Sequence, residues 1–170
     1  MSKTISIIIV TILVFSLYGC GSYSFTGADI NYNTTKTVQV NYFRNNAPQV
    51  EPGIDRDFTL KLQDLLINQT SLDLVTNNGD LVFEGEITQF YEAPITATSN
   101  STAAQNRLTI AVNVRFFNTK EPLKDFEQSF SFYYDYTGTS LLVGSQLDVA
   151  VDVIFERITQ DIFNKSLANW

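Results

Sequence analysis

Glu84 and Glu86 stand two residues apart in the run Gly79-Asp-Leu-Val-Phe-Glu-Gly-Glu86. On a strand that spacing puts both carboxylates on one face, roughly 6 to 7 Å apart, within reach of a carboxylate-based hydrolase. Four cations, Arg107, Arg115, Lys120 and Lys124, fall close together further along, and Arg107 and Arg115 share an outward face if their strand is regular. A basic edge of that kind can meet anionic phosphates, although solubilising surface charge is the simpler account. The one thiol is Cys20, so no disulfide within the chain exists, and there is no His. Ser-His-Asp and Cys-His catalysis, imidazole proton shuttles and the commonest zinc and copper sites are thereby excluded, while chemistry on carboxylates, Tyr or Lys is left. No residue set reads as a metal site. Across 170 residues the net charge is −7, which argues against nucleic-acid binding through a basic field. The length and the 13 Phe, 8 Tyr and 1 Trp provide for one packed domain without covalent staples.

The setting of Cys20 gives it a specific chemistry. Behind Lys3, the stretch Ile5 to Leu17 is uncharged, and it stops short of the roughly 20 apolar residues that a spanning helix needs. It reads as a signal peptide. The end, Leu17-Tyr-Gly-Cys20, resembles the bacterial lipobox, with Leu17 at −3, Gly19 at −1 and Tyr18 bulkier than usual at −2. That resemblance implies cleavage before Cys20 and covalent lipid on its sulfur, with N-acylation supplying enough methylene for stable anchoring. Gly21 follows instead of Asp, the pattern that lets a lipoprotein leave the inner membrane. The expected organisation is a signal peptide over 1–19, a lipidated tether over 20–36 that pairs at most as an edge strand, and a folded domain over 37–170. No cofactor beyond the lipid is expected.

Periodicity then predicts the elements that position the charged residues. Lys36 to Phe43 alternates, with Val38, Val40 and Tyr42 on one face. Ile54, Phe58, Leu62, Leu65 and Leu66 follow a 3.6-residue repeat, giving a helix with Asp55 as its cap and Asp57 in its first turn. Leu72 to Thr76 reads as a short strand, and Asn77-Asn-Gly-Asp80 carries hairpin chemistry. Leu81 to Ala93 is a strand with Leu81, Phe83 and Ile87 inward and Phe90 outward, and residues 94–106 are a polar loop. Arg107 to Asn118 points Leu108, Ile110, Val112, Val114 and Phe116 inward, and Asp125 to Tyr136 lines up Phe126, Phe130, Phe132 and Tyr134. A second helix after Ser145 closes the chain. The predicted fold is α+β, a two-layer sandwich whose mostly antiparallel sheet of four to five strands carries two helices on one face.

That second helix holds more apolar surface than one stripe requires. Leu147, Val151, Ile154, Ile158 and Ile162 make the stripe, yet Val149, Val153, Phe155, Phe163 and Trp170 lie off it, and Phe90, Phe117 and Tyr133 add to the surplus on the strands. Phe155, Phe163 and Trp170 are therefore the candidate partner-interface residues.

Seven runs in order, Cys20-Gly-Ser-Tyr-Ser-Phe-Thr-Gly27, Lys36-Thr-Val38, Phe58-Thr-Leu-Lys-Leu62, Gly79 to Gly85, Asn106 to Val112, Phe126 to Ser131 and Asp161 to Trp170, cover the mature chain. In order and spacing the chain resembles the LPS-assembly lipoprotein family LptE in its Bacteroidota-type branch. The resemblance implies an outer-membrane lipoprotein on the periplasmic side, seated as a plug in the large β-barrel LptD and helping to deliver lipopolysaccharide to the outer leaflet, without catalysis. Arg107, Arg115, Lys120 and Lys124 are the lipopolysaccharide-contact candidates. Two alternatives stand beside it: a lipid-anchored pilot-type module of another envelope machine, and a periplasmic hydrolase built on Glu84 and Glu86.

Overall fold

The apolar alternation and the two helical repeats both appear in the computed structural model, which describes residues 28–49, 51–95, 105–138 and 140–168. Strands β1 (Thr37–Val40) and β2 (Arg44–Asn45) precede helix α1 (Ile54–Gln69), followed by β3 (Asp73–Leu74), β4 (Leu81–Ile95), β5 (Gln105–Asn118), β6 (Phe126–Thr137) and helix α2 (Ser145–Leu167). They form one six-stranded sheet in the order β3-β1-β4-β5-β6, with β2 also on β4. Both helices pack on one face, α1 toward β1 and β3 and α2 toward β5 and β6. The α+β sandwich is thus the observed architecture, but its sheet is mixed. The long pairs β4–β5 and β5–β6 are antiparallel, whereas β1 runs parallel to β3 and β4, and β2 parallel to β4.

The parallel part corrects the hairpin expected at Asn77–Asp80. β1 lies between β3 and β4, so the connecting turn crosses the helix-free face of β1 instead of joining neighbours. Gly79 donates its N–H to Gln39 Oε1 at 3.2 Å, and a Cβ there would sit 2.7 Å from the Gln39 Cβ. Only glycine permits that approach.

Two apolar positions change face for the same kind of reason. After Val40 the chain leaves the β1 ladder, Asn41 donating to the Phe83 carbonyl at 2.8 Å. The pleat loses phase there, so Phe43 is fully buried and Tyr42 is exposed. In β4 a bulge falls between Ile87 and Gln89, where Ile87 pairs with Val112 and Gln89 with Ala111. Thr88 is the extra residue, and it turns Phe90 inward, 1% exposed, against the outward placement expected from strict alternation. The polar loop expected over 94–106 is also shorter than that. β4 continues to Ile95, which pairs with Gln105, and residues 96–104 lie outside the described residues. At α1 the cap is Gly53, at φ 87°, with Asp55 and Asp57 inside the first turn where carboxylates favour the helix dipole.

The core lies between sheet and helices. Leu108, Ile110, Val112, Val114 and Phe116 are all fully buried, as their alternation predicts. Phe43, Phe58 and Phe155 stack edge to face across the helix layer with centroids 5.1 and 5.0 Å apart. No described helix is long and apolar enough to cross a membrane.

Candidate interaction surface

The face of the sheet away from the helices carries the charged residues singled out by sequence. Register sets Arg115 opposite Glu84 on β4 and Glu127 on β6. Arg115 Nε lies 3.1 Å from Glu84 Oε1 and its Nη1 3.2 Å from Glu86 Oε2, with Glu127 at 3.9 Å. The hydrogen bond to Glu84 leads in raising the Arg115 pKa. Glu84 and Glu86 do share a face, as their spacing predicts. One guanidinium bridges them on the helix-free face of the sheet.

The other cations are engaged in the same way. Arg107 forks onto Asp135, Nε to Oδ1 at 2.6 Å and Nη2 to Oδ2 at 2.8 Å, and its guanidinium lies 3.5 Å from the centroid of the Tyr133 ring. That pairing holds Asp135 below its ordinary pKa. Lys124 sits 3.2 Å from Glu121 and 3.9 Å from Asp29. Arg107 and Arg115 share the outward face, but each of the four cations faces a carboxylate, so they do not make a positive edge. An anion binding there has to displace a carboxylate first.

Lys120 belongs to a different device. Asp80, just before β4, accepts at Oδ2 from the Lys36 and Thr37 N–H groups at 2.9 and 3.1 Å and from the Thr37 hydroxyl at 3.1 Å. Lys120 Nζ approaches Oδ1 at 2.9 Å. With Lys120 as the largest cause, Asp80 titrates far below the usual carboxylate range. One carboxylate therefore ties the start of β1 to the start of β4 and to the β5–β6 turn. Nothing in the sequence marks Asp80 apart from other loop aspartates, because its donors are backbone groups more than forty residues away.

The partner-interface candidates need correction. Phe155 and Phe163 are 1% and 2% exposed. Helix α2 lies on the sheet beside α1, so it buries one stripe against β5 and β6 and another against α1; Phe155 packs on Phe58, and Phe163 joins the same core cluster. Trp170 and Cys20 lie outside the described residues. The exposed apolar positions of this region are Val149 and Val153 on α2, with Leu141 and Val143 in the loop before it, 64% and 72% exposed. Phe117 and Tyr133, expected outward, are outward.

Leu141 lies beside Ile95 and Gln105, where β4 ends and β5 begins; Val143 just precedes α2 and Val149 stands near its start. Tyr134, Tyr136, Leu142, Gln146 and Val149 line an open cleft of about 580 Å³ there. The loop is pinned from beneath: the Tyr136 hydroxyl donates to the Glu92 carboxylate, and the Leu142 N–H donates to the same Oε2 at 3.1 Å. Burial, then the Glu92 carboxylate, pushes the Tyr136 pKa up to about 12. Sequence reasoning missed this end, since Leu141-Leu-Val143 is too short a run to show periodicity. The opposite end holds Ala28, which bridges Ala168 beyond α2. Helix α2, 23 residues long, joins the two ends and sets them roughly 35 Å apart. Among the described residues no group of three or more His, Cys, Asp or Glu is placed to hold a metal ion.

Comparison with known proteins agrees in part with this picture. The sequence pattern of the LptE family, described as lipopolysaccharide-assembly, matches residues 35–166. No curated protein matches the sequence significantly. Among solved structures, a putative neuraminyllactose-binding hemagglutinin homolog from Helicobacter pylori is similar at a TM-score of 0.50 and 10% identity, over 78% of this chain and 86% of that one. A hypothetical protein from Chlamydia trachomatis follows at 0.49 and 12%, covering 79% of this chain and 99% of its own. Rare lipoprotein B from Shewanella oneidensis scores 0.47 at 10%, covering 75% and 89%. At such identities the first likeness speaks for the fold alone.

Proposed function

The chain belongs to the LptE lipopolysaccharide-assembly family, and on that premise we propose that it is a lipoprotein anchored by Cys20 to the periplasmic side of the outer membrane, plugging an LptD-type β-barrel. It assists delivery of lipopolysaccharide to the outer leaflet and does no covalent chemistry. The observation that carries this reading is the apolar end formed by Leu141, Val143 and Val149, remote from the end where the N-terminal segment joins the domain. A chain tethered at one end and apolar at the other can reach from a membrane leaflet into a lumen. The paired cations fit this role better than a phosphate-gripping one. A plug gains from a neutralised, hydrogen-bonded face that does not trap its passing anionic cargo.

Lipidation is tested by intact-mass analysis of the protein extracted from its own membranes. The expected result is cleavage before residue 20 with acyl mass on Cys20, and Cys20→Ala retained as a precursor or mislocalised. Cleavage elsewhere, or no acyl mass, contradicts the anchor. Pull-down of the anchored form in mild detergent is expected to bring one large barrel in stoichiometric amount; a secretin ring instead supports the pilot-type alternative.

A further inference from the structure

We propose that the turn joining β5 to β6, residues 118–125, is a second membrane contact, in which Leu123 enters the phospholipid leaflet that holds the Cys20 lipid while Lys120 and Lys124 stand at the level of its phosphates. The contact rests on Cys20 being lipidated and is independent of the barrel.

The turn is built to hold an apolar side chain out in water. Leu123 is wholly exposed, in a short 3-10 turn, Pro122–Lys124, that starts on proline. The backbone around it is tied down. Asn118 Oδ1 accepts from the Lys120 and Glu121 N–H groups, both at 2.9 Å, the Asn118 N–H donates to Asp125 Oδ1 at 2.7 Å, and the Thr119 N–H donates to the Asp80 carbonyl at 2.9 Å. Ordering those residues costs conformational entropy, and none of it brings Leu123 to the core. Lys120 and Lys124 flank the leucine in sequence, their side chains 42% and 40% exposed. Beside them a cleft of about 300 Å³ is lined by Leu123, Lys124, Phe126 and Lys165, with the Lys165 ammonium 5.7 Å from the Phe126 ring. An apolar tip among lysines suits a bilayer interface, where the leucine enters the acyl boundary and the ammonium groups reach back to phosphate.

A single exposed leucine is ordinary on a protein surface, and its place in the chain is what commits it to lipid. Ala28 bridges Ala168, and the Asp29 N–H donates to the Leu167 carbonyl at 2.6 Å. The Asp29 carboxylate lies 3.9 Å from Lys124, the neighbour of Leu123. Ala28 comes eight residues after Cys20, and eight residues span at most about 29 Å whatever their path. A domain whose Cys20 is held in a leaflet therefore keeps this end within that distance of the headgroups, and Leu123 with it. Leu141 and Val143 stand at the other end of α2, so the two exposed apolar sites of the molecule do not compete for the same surface.

The test uses the mature lipoprotein in vesicles of phosphatidylethanolamine and phosphatidylglycerol, without any barrel, carrying a fluorophore on Leu123→Cys or, for comparison, on Val143→Cys. With Cys20 acylated, the introduced cysteine is the single thiol that takes the label. Phospholipids bearing a nitroxide near the top of the acyl chain are expected to quench the label at 123 at least about twofold, since an interfacial apolar group sits roughly 5–10 Å into the headgroup and acyl boundary, and to leave the label at 143 unquenched. Quenching at 123 no greater than at 143 overturns the proposal, including the case in which the label at 123 is shielded in native membranes alone, where a protein covers it. Labelling of the unsubstituted protein overturns it in a different way, because Cys20 is then a free thiol and the anchor itself is missing. A label on the exposed Glu121→Cys separates insertion from mere tethering. Its quenching should fall by at least about half when Leu123→Asp is added, because the inserting group is gone; unchanged quenching assigns the proximity to the tether and contradicts the wedge.

Discussion

Asp80 shows how much of this fold rests on single polar contacts that join distant parts of the chain. Its side chain is 18% exposed and receives two backbone N–H groups, a hydroxyl and an ammonium. Asp80→Ala leaves those donors unpaired and should cost about 2 to 3 kcal/mol, seen as a melting temperature lower by ~10 °C. A melt within two degrees of wild type contradicts the clamp. Because the folded-state pKa is depressed, the contribution is complete above the unfolded value near 4 and is lost as pH falls from there toward the folded one. Wild type should thus lose more stability than Asp80→Asn on going from pH 5 to pH 3. Tyr136 has the opposite sign. Its pKa is raised to about 12, so its contribution is full below about 10 and declines as pH rises toward 12. Ultraviolet titration should show one tyrosine ionising late, and Tyr136→Phe should remove that late phase. At this scale the sequence was legible for residue type and face, and illegible for partners. The outward faces of Arg107 and Arg115 followed from alternation, but Asp135, Glu84 and Asp80 are partners only because register brings them there.

The elements themselves were largely readable, because β5, β6 and both helices have long, regular periods. The misreadings occur where the period slips. Thr88 adds one residue and turns Phe90 inward. The break after Val40 exchanges the faces of Tyr42 and Phe43, and β1 inserts itself between two strands that are near in sequence. Helix α2 was misread for a different reason. A helix that lies on a sheet beside another helix buries two stripes, and periodicity that allows for one stripe counts the other as surplus. Phe155 and Phe163 should therefore behave as core: Phe163→Ala should cost about 3 to 5 kcal/mol, and Phe163→Asp should prevent cooperative unfolding altogether. If Phe163→Asp melts like wild type, the placement of α2 is wrong. Val153→Asp, on the exposed side of the same helix, should change stability by no more than about 0.5 kcal/mol.

The molecule as a whole has two unlike ends. The N-terminal segment joins at one of them, beside Ala168, and the far end offers Leu141, Val143 and Val149 above a loop pinned by Glu92. The central claim is that this apolar end engages an LptD-type barrel, and it is separable from folding because these side chains are exposed. The most direct measurement is co-purification of the barrel with a Leu141→Asp/Val143→Asp variant of the anchored protein, alongside a thermal melt of that variant. The account predicts barrel recovery reduced at least tenfold, as for the loss of a hot spot worth about 2 kcal/mol or more, with the melt within about 2 °C of wild type. Full recovery of the barrel with an unchanged melt contradicts it.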